Sequence, residues 1–181
     1  VECWGEELWG EISKTPTDAY AGVLLGRKVS CGLDELNRPT CWGSTIYGKG
    51  TPTEPKALVE TMDVGAAHVC GVDGHGRVWC GGRDDHGQAS PPGGAHRGVA
   101  LGALHPGGVD EDHLLGCWGA DDLGQSTPPS SLQGQPIALL AVGDHGGCAL
   151  TEDRDLACWG QDEEAQATPP AGLGVGVTDL A

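Results

Sequence analysis

Apolar residues come in short bursts along this chain, and two stretches show the pattern in full: DVGAAHVCGVDGHGRVWCGG at 63–82 and AVGDHGGCALTEDRDLACWG at 141–160. In each, an apolar segment ends at a glycine and a short loop follows. A cysteine then opens a second strand, a polar turn reverses it, and a third strand returns to another cysteine. Short strands bounded by Gly, Asp and Pro at this density read as hairpins of an all-β fold. The reversals fall at DELN (34–37), DGHG (73–76) and EDRD (152–155). The glycines around DGHG lack the spacing of a phosphate-binding loop and no helix is indicated after them, so they belong to the hairpin.

The pattern recurs. CWGADDLGQSTPP from Cys117 is echoed by CWGQDEEAQATPP from Cys158 and CGGRDDHGQASPP from Cys80, and more loosely from Cys41 and Cys3. These cysteines are spaced 38, 39, 37 and 41 residues apart, and seven residues past them stand Gly10, Gly48, Gly87, Gly124 and Ala165. A period of this length marks a solenoid, propeller or array, whose units are stabilised by stacking on their neighbours. The chain divides into one array of repeats at about 1–16 (partial), 17–55, 56–92, 93–129, 130–170 and 171–181 (partial).

Cysteines also recur ten residues apart, as Cys31 and Cys41, Cys70 and Cys80, and Cys148 and Cys158. Ten residues around a hairpin place two side chains opposite each other on adjacent antiparallel strands, where a bridge can form. Three disulfides are therefore expected, and with them an oxidising compartment. Reduced, buried cysteines are the competing reading; a zinc site lacks its close cysteine pairs. Cys117 has lost its partner, for Gly107 stands ten residues before it, and the same count back from Cys3 leaves the chain. The chain thus reads as a piece of a longer one.

Strand neighbours face opposite ways, so Trp4, Trp42, Trp118 and Trp159 point away from their cysteines into a layer between repeats. In the third copy Trp79 precedes the cysteine, on the same face but two residues back. Glu7, Asp84, Asp121 and Asp162 follow their cysteines by four residues, with Thr45 in the second copy, and are expected to hold the turn through backbone amides. Calcium is the alternative there, with Asp85, Asp122 and Glu163 adding carboxylates. Ala165, standing where the other copies have glycine, should force its turn into a different shape.

Composition changes the picture in one respect. The 32 glycines and 12 prolines, with no phenylalanine, suggest low complexity, but six tryptophans, eight cysteines and a fixed period indicate ordered β structure. The formal charge of −16 is concentrated after residue 60 and disfavours nucleic acid as a partner. No apolar run is long enough to span a bilayer; the richest is PIALLAVG at 136–143.

Taken together, Gly65, His68, Trp79 and Gly87-Gln88, Trp118-Gly119 and Gly124-Gln125, and Gly143, Cys148-Ala149-Leu150 and Trp159-Gly160 resemble the repeats of the regulator-of-chromosome-condensation family, whose bacterial members are described as alpha-tubulin-suppressor-like. The resemblance implies a β-propeller of four-stranded blades, commonly seven. This chain would supply about four blades plus partial ends. Members of such a family exchange guanine nucleotide on a small GTPase, sit in ubiquitin ligases or inhibit β-lactamases, and fold alone does not choose among these. Partner contacts in such propellers often come from the loops between the repeat glycine and its cysteine, which here carry Arg27, Lys28, His68, His105, Asp144 and His145.

The resulting expectation is a non-catalytic, secreted or cell-surface module that binds another protein and needs no cofactor. Two alternatives stand beside it. One is a hydrolase using Asp84, Asp85 and His86 or Asp110, Asp112 and His113 as acid and base groups. The other is an adhesive array of chains associating through unpaired blade edges.

Overall fold

The computed structural model describes residues 19–43, 58–170, 173 and 177–180. The sequence readings placed on Cys3, Trp4, Glu7, Gly10, Thr45 and Gly48 lie outside them. The rest forms twelve strands: β1 (Gly22–Leu25), β2 (Val29–Leu33), β3 (Pro39–Gly43), β4 (Val59–Val64), β5 (His68–Asp73), β6 (Val78–Gly82), β7 (His96–Leu101), β8 (Pro106–Asp110), β9 (Leu115–Cys117), β10 (Ile137–Val142), β11 (Gly146–Thr151) and β12 (Leu156–Gly160). They pair as four antiparallel sheets in simple meander order, β1-β2-β3, β4-β5-β6, β7-β8-β9 and β10-β11-β12. Each described sheet thus has three strands where the family resemblance implied four. The segments after β6, β9 and β12 run as turns in which one glutamine and one aspartate side chain each accept from a backbone amide.

First strands of successive sheets touch: β1 with β4, β4 with β7, and β7 with β10. They line the inner side of an arc of blades. Strands β4, β7 and β10 each carry a register shift one residue in from their start, at Val59/Thr61, His96/Gly98 and Ile137/Leu139. Such a bulge increases local twist, which is what successive blades need to fan out.

The cysteine pairs are cross-strand partners, Cys31 with Cys41, Cys70 with Cys80 and Cys148 with Cys158. All three are disulfides. Gly107 and Cys117 occupy the equivalent pairing in the third sheet. Burial pushes the Cys117 thiol up to about 12, with the Asp121 charge adding to the effect, so it is a small packed hydrophobe rather than a nucleophile.

Apolar side chains fill the spaces between blades. Cys31, Cys41, Val64 and Val69 pack with Trp79 between the first two sheets. Leu132, Ile137, Ala149 and Trp159 pack with Leu115 and Cys117 between the last two. Trp118 and Trp159 also donate their indole N–H to a carbonyl of the preceding copy, Gln88 at 3.2 Å and Gln125 at 2.9 Å. The displaced Trp79 keeps to the packing layer, but its buried indole nitrogen has no partner among the described residues.

The turn aspartates are structural. Asp84 accepts from the Ala89 amide and the Ser90 hydroxyl, Asp121 from the Ser126 amide and the Thr127 hydroxyl, and Asp162 from the Ala167 amide and the Thr168 hydroxyl. Asp85 is engaged by Arg83 and Gln88, which hold its carboxyl down at about 2. Contrary to expectation, the turn at Ala165 is not reshaped: Ala165 adopts φ 59°, beside 79° at Gly87 and 73° at Gly124. The Asp162 bonds hold it there at a steric cost. Ala165→Gly should therefore stabilise the protein by about 1 kcal/mol, read as a rise in the denaturation midpoint. An unchanged or lowered midpoint would show the alanine to be unstrained.

Candidate protein-binding face

Each sheet joins its first strand to its second by the same short loop. In every copy the amide of the loop glycine donates to the carbonyl three residues on: Gly26 to Val29, Gly65 to His68, Gly102 to His105, and Gly143 to Gly146. The loops nest in file. A Cβ added at Gly26 would run into the Gly65 carbonyl, one at Gly65 into that of Gly102, and one at Gly102 into that of Gly143. Glycine is needed here for close backbone approach. The loops enclose an open cavity of about 210 Å³ on the inner side of the arc.

The six residues expected in these loops divide into two groups. Arg27, Asp144 and His145 are exposed and Lys28 is half-buried. Arg27 and Asp144 pair across the mouth at 3.1 Å, tying the first loop to the fourth over 117 residues of sequence. The Lys28 amide donates to the carbonyl of Ala66 in the next loop. His68 and His105 instead are wholly buried beneath the glycines; neither ring nitrogen of His68 makes a hydrogen bond, while the ring of His105 faces the backbone carbonyl of Gly146. Burial lowers both, His68 to about 4, with the neighbouring His105 adding to that effect.

The two acid and histidine groups considered for hydrolysis are not brought together. Asp84 and Asp85 are committed to their turn, while Asp110 accepts from the amides of Asp112 and Leu114 in the β8–β9 hairpin. His113 does acquire partners that the sequence did not reveal. Its Nδ1 lies 3.0 Å from Glu152 and its Nε2 accepts from Arg97, along a groove between the third and fourth sheets. Arg donates only, so Nδ1 carries the proton. Among the described residues no group of three or more His, Cys, Asp or Glu is placed to hold a metal ion, and no helix is long and apolar enough to cross a membrane.

No family model matches the chain. Solved structures do. The entire ectodomain of the receptor kinase CR4 from Physcomitrella patens is 28% identical over 88% of this chain and 43% of its own, with a TM-score of 0.67. The CRINKLY WD40 ectodomain of the Arabidopsis thaliana receptor kinase ACR4 is 26% identical over 76% of this chain and 48% of its own, with a TM-score of 0.60. Prp20p of Saccharomyces cerevisiae, the yeast RCC1, is 19% identical with a TM-score of 0.66 over 80% of this chain and 44% of its own. The fold is that of an RCC1-like β-propeller, in part. The chain spans less than half the length of each of these structures.

Proposed function

We infer that this chain is a non-catalytic, protein-binding propeller module working outside the cell, and that the nested-loop face is where the partner sits. The observation that carries the reading is the loop file itself: four equivalent loops, locked by backbone contacts, hold Arg27, Lys28, Asp144 and His145 on one rigid rim. Loops on a rigid scaffold are where binding residues concentrate. Two of the similar structures are receptor-kinase ectodomains, and three disulfides suit the same compartment. Prp20p is described with binding properties to Gsp1p and histones, which supports protein recognition by the fold without naming a partner here.

A charge swap separates partner contact from loop stability. Arg27→Glu breaks the pair with Asp144, whereas Arg27→Glu with Asp144→Arg restores it in reverse. With partner captured from extracellular fractions on the immobilised protein, both variants should bind about tenfold more weakly, as expected for altered charges at an interface. Full recovery by the swap would mean that the pair serves the fold alone. Unchanged binding by both would place the partner elsewhere.

A further inference from the structure

His68 and His105 occupy the same place in successive blades, two residues before Cys70 and Gly107, and the ring of each lies directly under a loop glycine. A Cβ on Gly65 would meet the His68 ring, and one on Gly102 would meet that of His105. Each ring is therefore pressed against the loop backbone on that side. Both side chains are wholly buried; the ring nitrogens of His68 lack a partner, and the Gly146 backbone carbonyl facing the His105 ring favours its charged form without outweighing burial. A buried imidazole can remain neutral in such a place, but a buried imidazolium without a counter-charge is costly.

The surrounding charges give little relief. Around His68 they are His105, Asp84, Asp63, the Arg83 and Asp85 pair, and Lys28 in the adjoining loop. Asp84 is spent on Ala89 and Ser90, and Asp63 on the amides of Val64 and Leu101. Around His105 they are His68, His145, Asp121 and Asp144. Asp121 is held by Ser126 and Thr127, and Asp144 by Arg27. His145 on the fourth loop adds a further titratable base to the face.

We propose that the loop face is acid-sensitive: protonation of His68 and His105 lifts the Gly65 and Gly102 loops off their neighbours and disassembles the binding rim. This rests on the reading of that rim as the binding face. The opening is local because the Cys70 to Cys80 disulfide ties β5 to β6 just beyond His68. The third sheet has no such bridge beyond His105, so opening extends further there.

The sign follows from the directions of the shifts. Both histidines are harder to protonate folded than unfolded, so their contribution is full above the ordinary histidine value of 6.5. For His68 it is lost as pH falls from there toward about 4. Burial raises the Asp63 carboxyl, and its protonation acts in the opposite sense across part of that range.

The test needs no partner. Hydrogen exchange, corrected for its intrinsic pH dependence, is followed from pH 7.5 to pH 4 at the amides of Lys28, Arg83 and Ala120, which bond to Ala66, Ala67 and Leu104 in the loops. Protection there should fall at least tenfold while the amides of β5 and β11 keep theirs, and His68→Gln with His105→Gln should abolish the loss. Protection independent of pH, or an unchanged loss in the double variant, overturns the proposal. If the double variant does not fold, the wild-type ring resonances decide. Titration of both near 6.5 with the loop amides unmoved overturns it, and titration well below that value together with the loop amides supports it. Failure to find a partner leaves this result standing, and failure of the loops to open leaves the binding reading intact.

Discussion

Trp159→Ala should cost about 4 kcal/mol and lower the melting temperature by about 10 °C. The ring is 6% exposed and packs with Leu132, Ile137 and Ala149 between the third and fourth sheets, and its indole N–H is donated to the Gln125 carbonyl. Truncation empties that space and leaves a buried acceptor without its donor, and the two penalties add. Trp79 supplies the control, since it fills an equivalent space without a hydrogen bond among the described residues. Trp159→Phe should therefore cost more than Trp79→Phe by about 1 kcal/mol. Equal losses from the two phenylalanine variants would show that the indole bond contributes nothing, and a small loss for Trp159→Ala would place little of the stability at that interface.

Reduction of the three disulfides should unfold most of the protein at 37 °C. Each closes a loop with a sequence separation of 10, for which chain entropy gives about 2.7 kcal/mol, or about 8 kcal/mol together. Domains of ordinary stability have about 5–15 kcal/mol in total. The arithmetic is severe for a chain with 32 glycines and, among the described residues, two modest core clusters. Denaturation followed with and without reductant measures the effect. Alkylation after unfolding without reductant should spare the six bridged cysteines and modify Cys117, Cys3 lying outside the described residues. Modification of all eight, or a midpoint indifferent to reductant, would remove the bridges from the account of stability.

Features confined to one repeat were legible from spacing. A ten-residue interval pointed to the cysteine partners because the polar turn sits midway between them, which sets the two side chains opposite each other. Asp84, Asp121 and Asp162 could be read as turn-holding because their donors lie five and six residues on. Ala165 was misjudged for a related reason: the aspartate bonds around it are strong enough to carry an alanine through a glycine conformation. What depends on the placement of one repeat against another was hidden. The Arg27 and Asp144 pair, the contacts of His113 with Arg97 and Glu152, and the burial of His68 and His105 are of this kind. Nothing local distinguishes a histidine on a loop from one beneath it.

The indole bonds of Trp118 and Trp159 run from one copy to the glutamine carbonyl of the copy before. A stretch of sequence one whole copy long, 37 to 41 residues, therefore contains a donor for its predecessor and an acceptor for its successor, as Trp118 and Gln125 do. Duplicating that stretch in tandem adds a unit whose two ends already match their new neighbours, and excising it brings together two ends that also match. The length of the array is free to change in whole copies without a new interface having to arise, whereas an insertion of half a copy would break the spacing that sets each donor against its acceptor.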